Sequence, residues 1–308
     1  MLHASCITRP ERTHAMETTT TARPARLRIA VAVSLALAGL LAAAIADHPA
    51  QAASGRGPHW VGGSRPVIVL EHGAWADSSS WDRVIRILAA EGFTVYAPPN
   101  PLQGLATDAA YLHDFLTENA ALAGKPVVLV GHSYGGAVIT DAAIGDPEVK
   151  ALVYVDAFIP ADGESIGDLL GGPLGAGSCI GGNPSKVFNP VPIPGAPAGD
   201  VDLYLQPGKF HGCFASGLSA SEAATLAATQ RPLASSAVTE ASGTPAWQTI
   251  PSWAVIGTAD KVIPPVLLTF MAQRAGASIT DVDAGHLSLI SRAGAVARVI
   301  VKAAAATS

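Results

Sequence analysis

Residues 126–139 read PVVLVGHSYGGAVI, and this stretch decides the fold. Five apolar, β-branched-rich residues end in Gly131, and Gly135 opens a run with helical apolar spacing. Between them stands Ser133, so a G-x-S-x-G pentapeptide links a strand to a helix. A chain that turns this sharply must hold the apical residue in a strained conformation that exposes its side chain. Gly131 and Gly135 supply the room that any Cβ would take from neighbouring backbone. The residue at the apex is a serine, so the turn presents a nucleophile at a helix N-terminus, where free N–H groups favour negative charge.

Working outward, short apolar runs alternate with helical spacing on both sides of the turn. Residues 66–71, 93–97, 126–130, 151–155, 252–256 and 278–282 are predicted strands. Their near-continuous apolar character suits strands buried on both faces of a parallel sheet. Residues 80–90, 107–119, 135–144, 265–275 and 292–305 are predicted helices. The alternation specifies an α/β fold with crossover helices. It is interrupted between residues 160 and 220, where 21 of 61 residues are Gly or Pro and only 221–228 beyond them reads clearly as helix. Because the strand pattern resumes afterwards, this region is expected to be a lid or binding segment carried by a completed scaffold. Its apolar residues Phe158, Leu169, Leu170, Phe188, Leu203, Tyr204, Leu205, Phe210, Phe214 and Leu218 are expected to line a pocket or to pack on the sheet.

A serine hydroxyl needs a base, and the base needs an orienting carboxylate. His286 lies in a Gly-containing loop, DAGHL, between the last predicted strand and the last helix. Asp260 lies just past the preceding predicted strand, ahead of Pro264 and Pro265. The order Ser133, Asp260, His286 is that of a catalytic triad. Asp156, at the end of the 151–155 strand, competes for the carboxylate role, whereas Asp283 reads as ordinary loop. Two backbone N–H groups should receive the developing oxyanion. Tyr134, following the nucleophile, supplies one, and Ala74, in the HGAW loop after the first strand, supplies the other. Gly73 permits that loop to turn, and His72 reads as a structural hydrogen-bonding residue. His132 sits inside the turn with its ring expected to point away, and His59, His113 and His211 carry no supporting context.

The chain has 308 residues, a formal net charge of −5, 49% apolar and 14% charged residues. That composition excludes a highly charged disordered chain and gives no basic surface for nucleic acid. Residues 29–46, IAVAVSLALAGLLAAAIA, follow Arg23, Arg26 and Arg28 and precede Ala50-Gln51-Ala52. A basic segment, an apolar run and a small-x-small site predict a cleavable export signal over 1–52, rather than a retained anchor. Met1 and Met16 are both candidate starts. The domain would then be 53–308, secreted or otherwise outside the cytoplasm, with no stable membrane association after cleavage and an insertion over about 158–250. Cys179 and Cys213 would remain as a pair, most simply a disulfide in an oxidising compartment. No cofactor or metal is implied, since two cysteines without companion ligands make a poor zinc site. The oligomeric state is open.

With these motifs in order (HGAWADSSSW at 72–81, GHSYGGAV at 131–138, GTADKVIPP at 257–265 and DAGHLSLI at 283–290), the chain resembles the α/β-hydrolase superfamily over 66–305. It is most similar to small serine esterases near the plant methylesterases and hydroxynitrile lyases. The resemblance implies a mostly parallel sheet with a small cap inserted after the strand ending near Asp156. It also implies ester hydrolysis through an acyl-enzyme on a small-molecule ester. Position 133 is serine, whereas dehalogenases and epoxide hydrolases of the superfamily use aspartate there. Leu287 stands where the lyase branch carries lysine, which favours esterase over lyase. A lactonase, amidase or cofactor-free perhydrolase would use the same triad, and a non-catalytic binding protein is the remaining alternative.

Overall fold

One parallel sheet buries four of the six predicted runs almost completely, 66–71, 126–130, 151–155 and 252–256, whereas the edge runs 93–97 and 278–282 stay partly or largely exposed. The computed structural model describes residues 65–307, so the expected export signal and His59 lie outside the described residues. The strands, in chain order, are β1 (Val67–Glu71), β2 (Val95–Tyr96), β3 (Val127–His132), β4 (Val149–Val155), β5 (Phe188–Pro192), β6 (Val201–Leu205), β7 (Leu233–Ala234), β8 (Ser252–Gly257) and β9 (Ser278–Val282). The large sheet has the order β2-β1-β3-β4-β8-β9, and every pairing in it is parallel. Every residue of β1, β3 and β8 is buried, as continuous apolar strands require when helices cover both faces.

The crossover helices follow the predicted spans closely: α1 (Asp82–Ala90), α2 (Leu105–Glu118) and α3 (Tyr134–Ala142). The helix Pro265–Arg274 begins on a proline whose missing N–H is no loss in a first helical turn. At the C-terminus the helix predicted over 292–305 is observed as Ala293–Ala306, preceded by a short Ser288–Ser291 turn that was not predicted. Trp81, Leu88, Leu112, Ile139 and Ile300 fill the core between helices and sheet.

Residues between β4 and β8 form the insertion. They build a small antiparallel sheet of order β5-β6-β7, together with the helices Ile166–Gly171 and Ala220–Ala228. The sequence pattern hides this sheet because β5 contains Pro190 and Pro192, residues that a central strand cannot hold but an edge strand can. The insertion is stitched to the scaffold at defined points. Cys179 N–H donates to Lys261 O at 2.8 Å, and Ser178 Oγ donates to Val262 O at 2.6 Å. Cys179 and Cys213 are joined by a disulfide, their Cα atoms 5.8 Å apart across 34 positions of chain. A cross-link of that span removes loop entropy from the unfolded chain on the order of 3 kcal/mol. Reduction, or the substitution Cys213→Ser, is therefore expected to lower the thermal midpoint by roughly 6–12 °C in calorimetry.

Candidate active site

The β3–α3 junction carries the strain that its sequence anticipates. Ser133 has φ 54° and ψ −124°, a region that residues with a Cβ rarely enter. The neighbouring glycines explain how it is tolerated. A Cβ on Gly131 would stand 2.5 Å from Gly135 O, and one on Gly135 would stand 2.7 Å from Glu71 O. Only bare backbone lets β3, α3 and the end of β1 meet this closely.

Three loops at the C-terminal ends of β3, β8 and β9 converge there. Ser133 Oγ lies 2.9 Å from His286 Nε2, and His286 Nδ1 lies 2.8 Å from Asp260 Oδ2. Asp260 Oδ1 also accepts the N–H groups of Val262 at 2.7 Å and Ile263 at 3.0 Å. With the Nδ1 proton directed at Asp260, Nε2 is the atom that accepts from the serine hydroxyl. Burial lowers the pKa of His286 to about 3, so the imidazole is a neutral base.

Asp156 takes a different position. Its backbone has φ 46°, its Oδ1 accepts Gly257 N–H at 2.6 Å, and its Oδ2 accepts Ser288 N–H at 3.2 Å. It thus braces the strand ahead of Asp260 against the segment after His286. Burial and the charge of Asp260 push Asp156 well above the usual carboxylate range. Burial also raises Asp260, while the Val262 and Ile263 N–H groups pull it back. Two adjacent buried carboxyls resist carrying two charges. Asp260, which faces the His286 Nδ1–H as well as two backbone N–H groups, is the one that holds the charge.

The ring of His132 does not point away from the reacting groups as expected. Its Nε2–H donates to His286 O at 3.0 Å, and the two rings lie 4.9 Å apart. Burial, followed by the neighbouring His286, lowers its pKa well below the ordinary value, so it supports the loop as a neutral donor. His72 is also structural: its Nδ1–H donates to Gly73 O at 2.9 Å and its Nε2 accepts Asn100 N–H at 3.0 Å. Burial pushes it down to about 4. His113 and His211 bond the carbonyls of Ala142 and Leu218, and exposed Asp283 lies 3.7 Å from Arg292.

The HGAW loop lies hard against the turn, since a Cβ on Gly73 would stand 2.7 Å from Ser133 Cβ and 3.1 Å from Tyr134 N. Ala74 N–H has no backbone acceptor among the described residues, and Tyr134 N–H opens α3, where no intrahelical acceptor exists. Tyr134 is further held by its hydroxyl, which donates to Asp108 Oδ2 at 2.8 Å.

Ser133, Ala74 and Tyr134 open onto a cavity of about 470 Å³ roofed by the insertion. Of the ten apolar residues expected to line or pack, Phe158, Leu170, Phe188 and Leu203 line it. Leu169, Leu205, Phe210 and Phe214 are buried in packing instead. Trp75, Ile180, Ser235 and Val238 also line the cavity, and no local sequence signal marks them. Among the described residues no group of three or more His, Cys, Asp or Glu side chains is arranged to hold a metal ion.

The family model described as "Alpha/beta hydrolase family" matches residues 67–299. A carbendazim hydrolyzing esterase from a Nocardioides species is 36% identical over 112 residues, which are 33% of this chain and 46% of that protein. A pyrethroid hydrolase from Sphingobium wenxiniae is 33% identical over 104 residues, 31% of this chain and 37% of that one. The chain therefore spans less than half the length of these two relatives. Among solved structures, a pyrethroid hydrolase from Sphingobium faniae superposes with a TM-score of 0.61 at 20% identity, over 78% of this chain and 97% of that one. An extracellular alpha/beta-hydrolase from a Paenibacillus species gives a TM-score of 0.60 at 22% identity, over 77% of this chain and 98% of that one. At such identities the likeness is one of fold.

Because its pKa is lowered, His286 should stay neutral as pH falls through 6.5 and protonate only near the depressed value. Its C2–H proton resonance is expected to remain at the neutral position down to about pH 4; a midpoint near 6.5 would contradict the burial seen here.

Proposed function

The chain belongs to the alpha/beta hydrolase family, and we propose that within it the protein is an exported serine hydrolase that cleaves carboxylic esters through an acyl-enzyme. One observation carries this reading: the unbroken hydrogen-bonded line from Ser133 Oγ through His286 to Asp260, with Ser133, Ala74 and Tyr134 together lining one cavity.

The chemistry follows from the geometry. His286 Nε2 takes the hydroxyl proton as Ser133 Oγ attacks the ester carbonyl, and the charge of Asp260 stabilises the imidazolium that forms. The Ala74 and Tyr134 N–H groups receive the oxyanion at the cavity floor. The alcohol departs with the proton from His286. Water then enters, gives its proton to the same nitrogen and releases the acid from Ser133.

The relatives named as a carbendazim hydrolyzing esterase and a pyrethroid hydrolase support a small-molecule substrate with an ester-like carbonyl. Apolar walls from Phe158, Ile166, Leu170, Phe188 and Leu203 suit a substrate with a sizeable apolar group. Export is supported by the basic and apolar pattern of residues 23–52, and the Cys179–Cys213 bond suits an oxidising compartment.

A fluorophosphonate is expected to label Ser133 alone, and Ser133→Ala should lower kcat on a nitrophenyl ester by about 10⁴–10⁶-fold. A variant that retained the rate would sink the acyl-enzyme reading. Gly73→Ala, which forces a Cβ against Ser133 and Tyr134, should reduce kcat by about 10²-fold with little change in KM, as expected when oxyanion donors are displaced.

A further inference from the structure

Trp75 follows the oxyanion donor Ala74 directly, and its surroundings differ from those of an ordinary pocket residue. Its backbone has φ 57°, a left-handed conformation that a bulky residue adopts only when its surroundings impose it. Its hydrogen-bond and ring partners come from the insertion. Trp75 N–H donates to Arg231 O at 2.8 Å, two residues before β7, and the indole Nε1–H donates to Leu203 O in β6 at 2.7 Å. The ring stacks on Phe188 of β5, centroids 5.7 Å apart and planes 23° apart, and meets Phe214 edge-on at 5.7 Å. The indole is therefore attached to or beside every strand of the small sheet, and it is buried.

On its other side the loop has no slack. Gly73 lies so close to Ser133 and Tyr134 that even a Cβ would not fit. A displacement of Trp75 cannot be absorbed at Gly73 and falls on Ala74 between them. Phe188 and Leu203, which hold the indole, also line the cavity beside Ser133. An apolar group in the cavity thus packs against the residues that fix the loop carrying an oxyanion donor.

We propose that Trp75 is a positioning residue that couples the insertion to the oxyanion loop, so that an ester whose acyl group fills the cavity against Phe188 and Leu203 gains in kcat and not only in KM. The inference rests on the serine-esterase reading above. It assigns selectivity to a contact between scaffold and insertion, whereas a residue that merely lined the pocket would act on binding of substrate and transition state alike.

The test compares 4-nitrophenyl acetate with 4-nitrophenyl octanoate on the full protein and on two variants. Trp75→Phe removes the indole N–H and part of the ring. Replacement of Trp75 by 3-benzothienylalanine keeps the bicyclic shape and removes only the donor, so it decides the matter should the first variant fail to fold. Wild type is expected to show the higher kcat on the octanoate. In the variants the ratio of kcat on the octanoate to kcat on the acetate should fall about tenfold, the scale of a small misplacement at a reacting centre. Variants that keep the wild-type ratio of kcat values, or that alter KM alone, overturn the coupling. If wild type shows no hydrolysis that Ser133→Ala abolishes, the esterase reading itself is overturned, a result distinguishable from loss of the coupling alone.

Discussion

The structure depends on one backbone constraint, the strained turn at Ser133 between β3 and α3. A side chain held at positive φ stores of order 1–3 kcal/mol and persists only where its surroundings over-determine it. Here they do so by close approach: Gly131 meets Gly135, Gly135 meets the end of β1, and Gly73 meets Ser133 itself. The three contacts bring β1, β3 and α3 together at one point. The loop that carries Ala74, which leaves the end of β1, therefore has its position set by the same packing that places Ser133 at the cavity. Strain and site are two aspects of a single junction.

Around that junction the protein buries an unusual density of ionisable groups. His72, His132, Asp156, Asp260 and His286 are all buried, and each has a defined partner. Their arrangement keeps the net buried charge small. The three imidazoles are driven toward neutrality by burial, and of the two neighbouring carboxyls the one that faces His286 holds the charge. The side chains of Asp156 and His132 bond the backbone around Asp260 and His286 and so hold the loops that carry them. Low dielectric makes such contacts strong when they are satisfied and costly when they are not.

Legibility differed by region for physical reasons. Parallel strands buried on both faces cannot hide their composition, so β1, β3, β4 and β8 lie within about two residues of their predicted spans, and the largely exposed edge strand β9 also spans its predicted residues. The insertion was opaque because its order comes from elsewhere. Pro190 and Pro192 break any strand pattern, and β5 exists because β6 offers it an edge. Leu203 and Leu205 share one face of β6, yet Leu203 lines the cavity and Leu205 is buried in packing, a difference set by where along the strand the cavity lies. The orientation of His132 was misjudged for a similar reason. Its place within the turn is local, but the carbonyl that it seeks belongs to a residue 154 positions away.

By itself, the sequence determined the scaffold and named the candidates for the serine, the base and the carboxylate. Period-2 and period-3.6 apolar patterns, the glycines flanking Ser133, and the order of Ser133, Asp260 and His286 are local or ordinal features, and the chain cannot fold otherwise without burying unpaired backbone or exposing its apolar strands. Only the tertiary structure decided between Asp260 and Asp156, since both end buried strands and differ in what lies across from them. It alone also decided which residues of the insertion meet the serine, and that Trp75 binds insertion to scaffold. Those are contacts between segments far apart in the chain, fixed by how the small sheet docks on the scaffold, which no short stretch of sequence encodes.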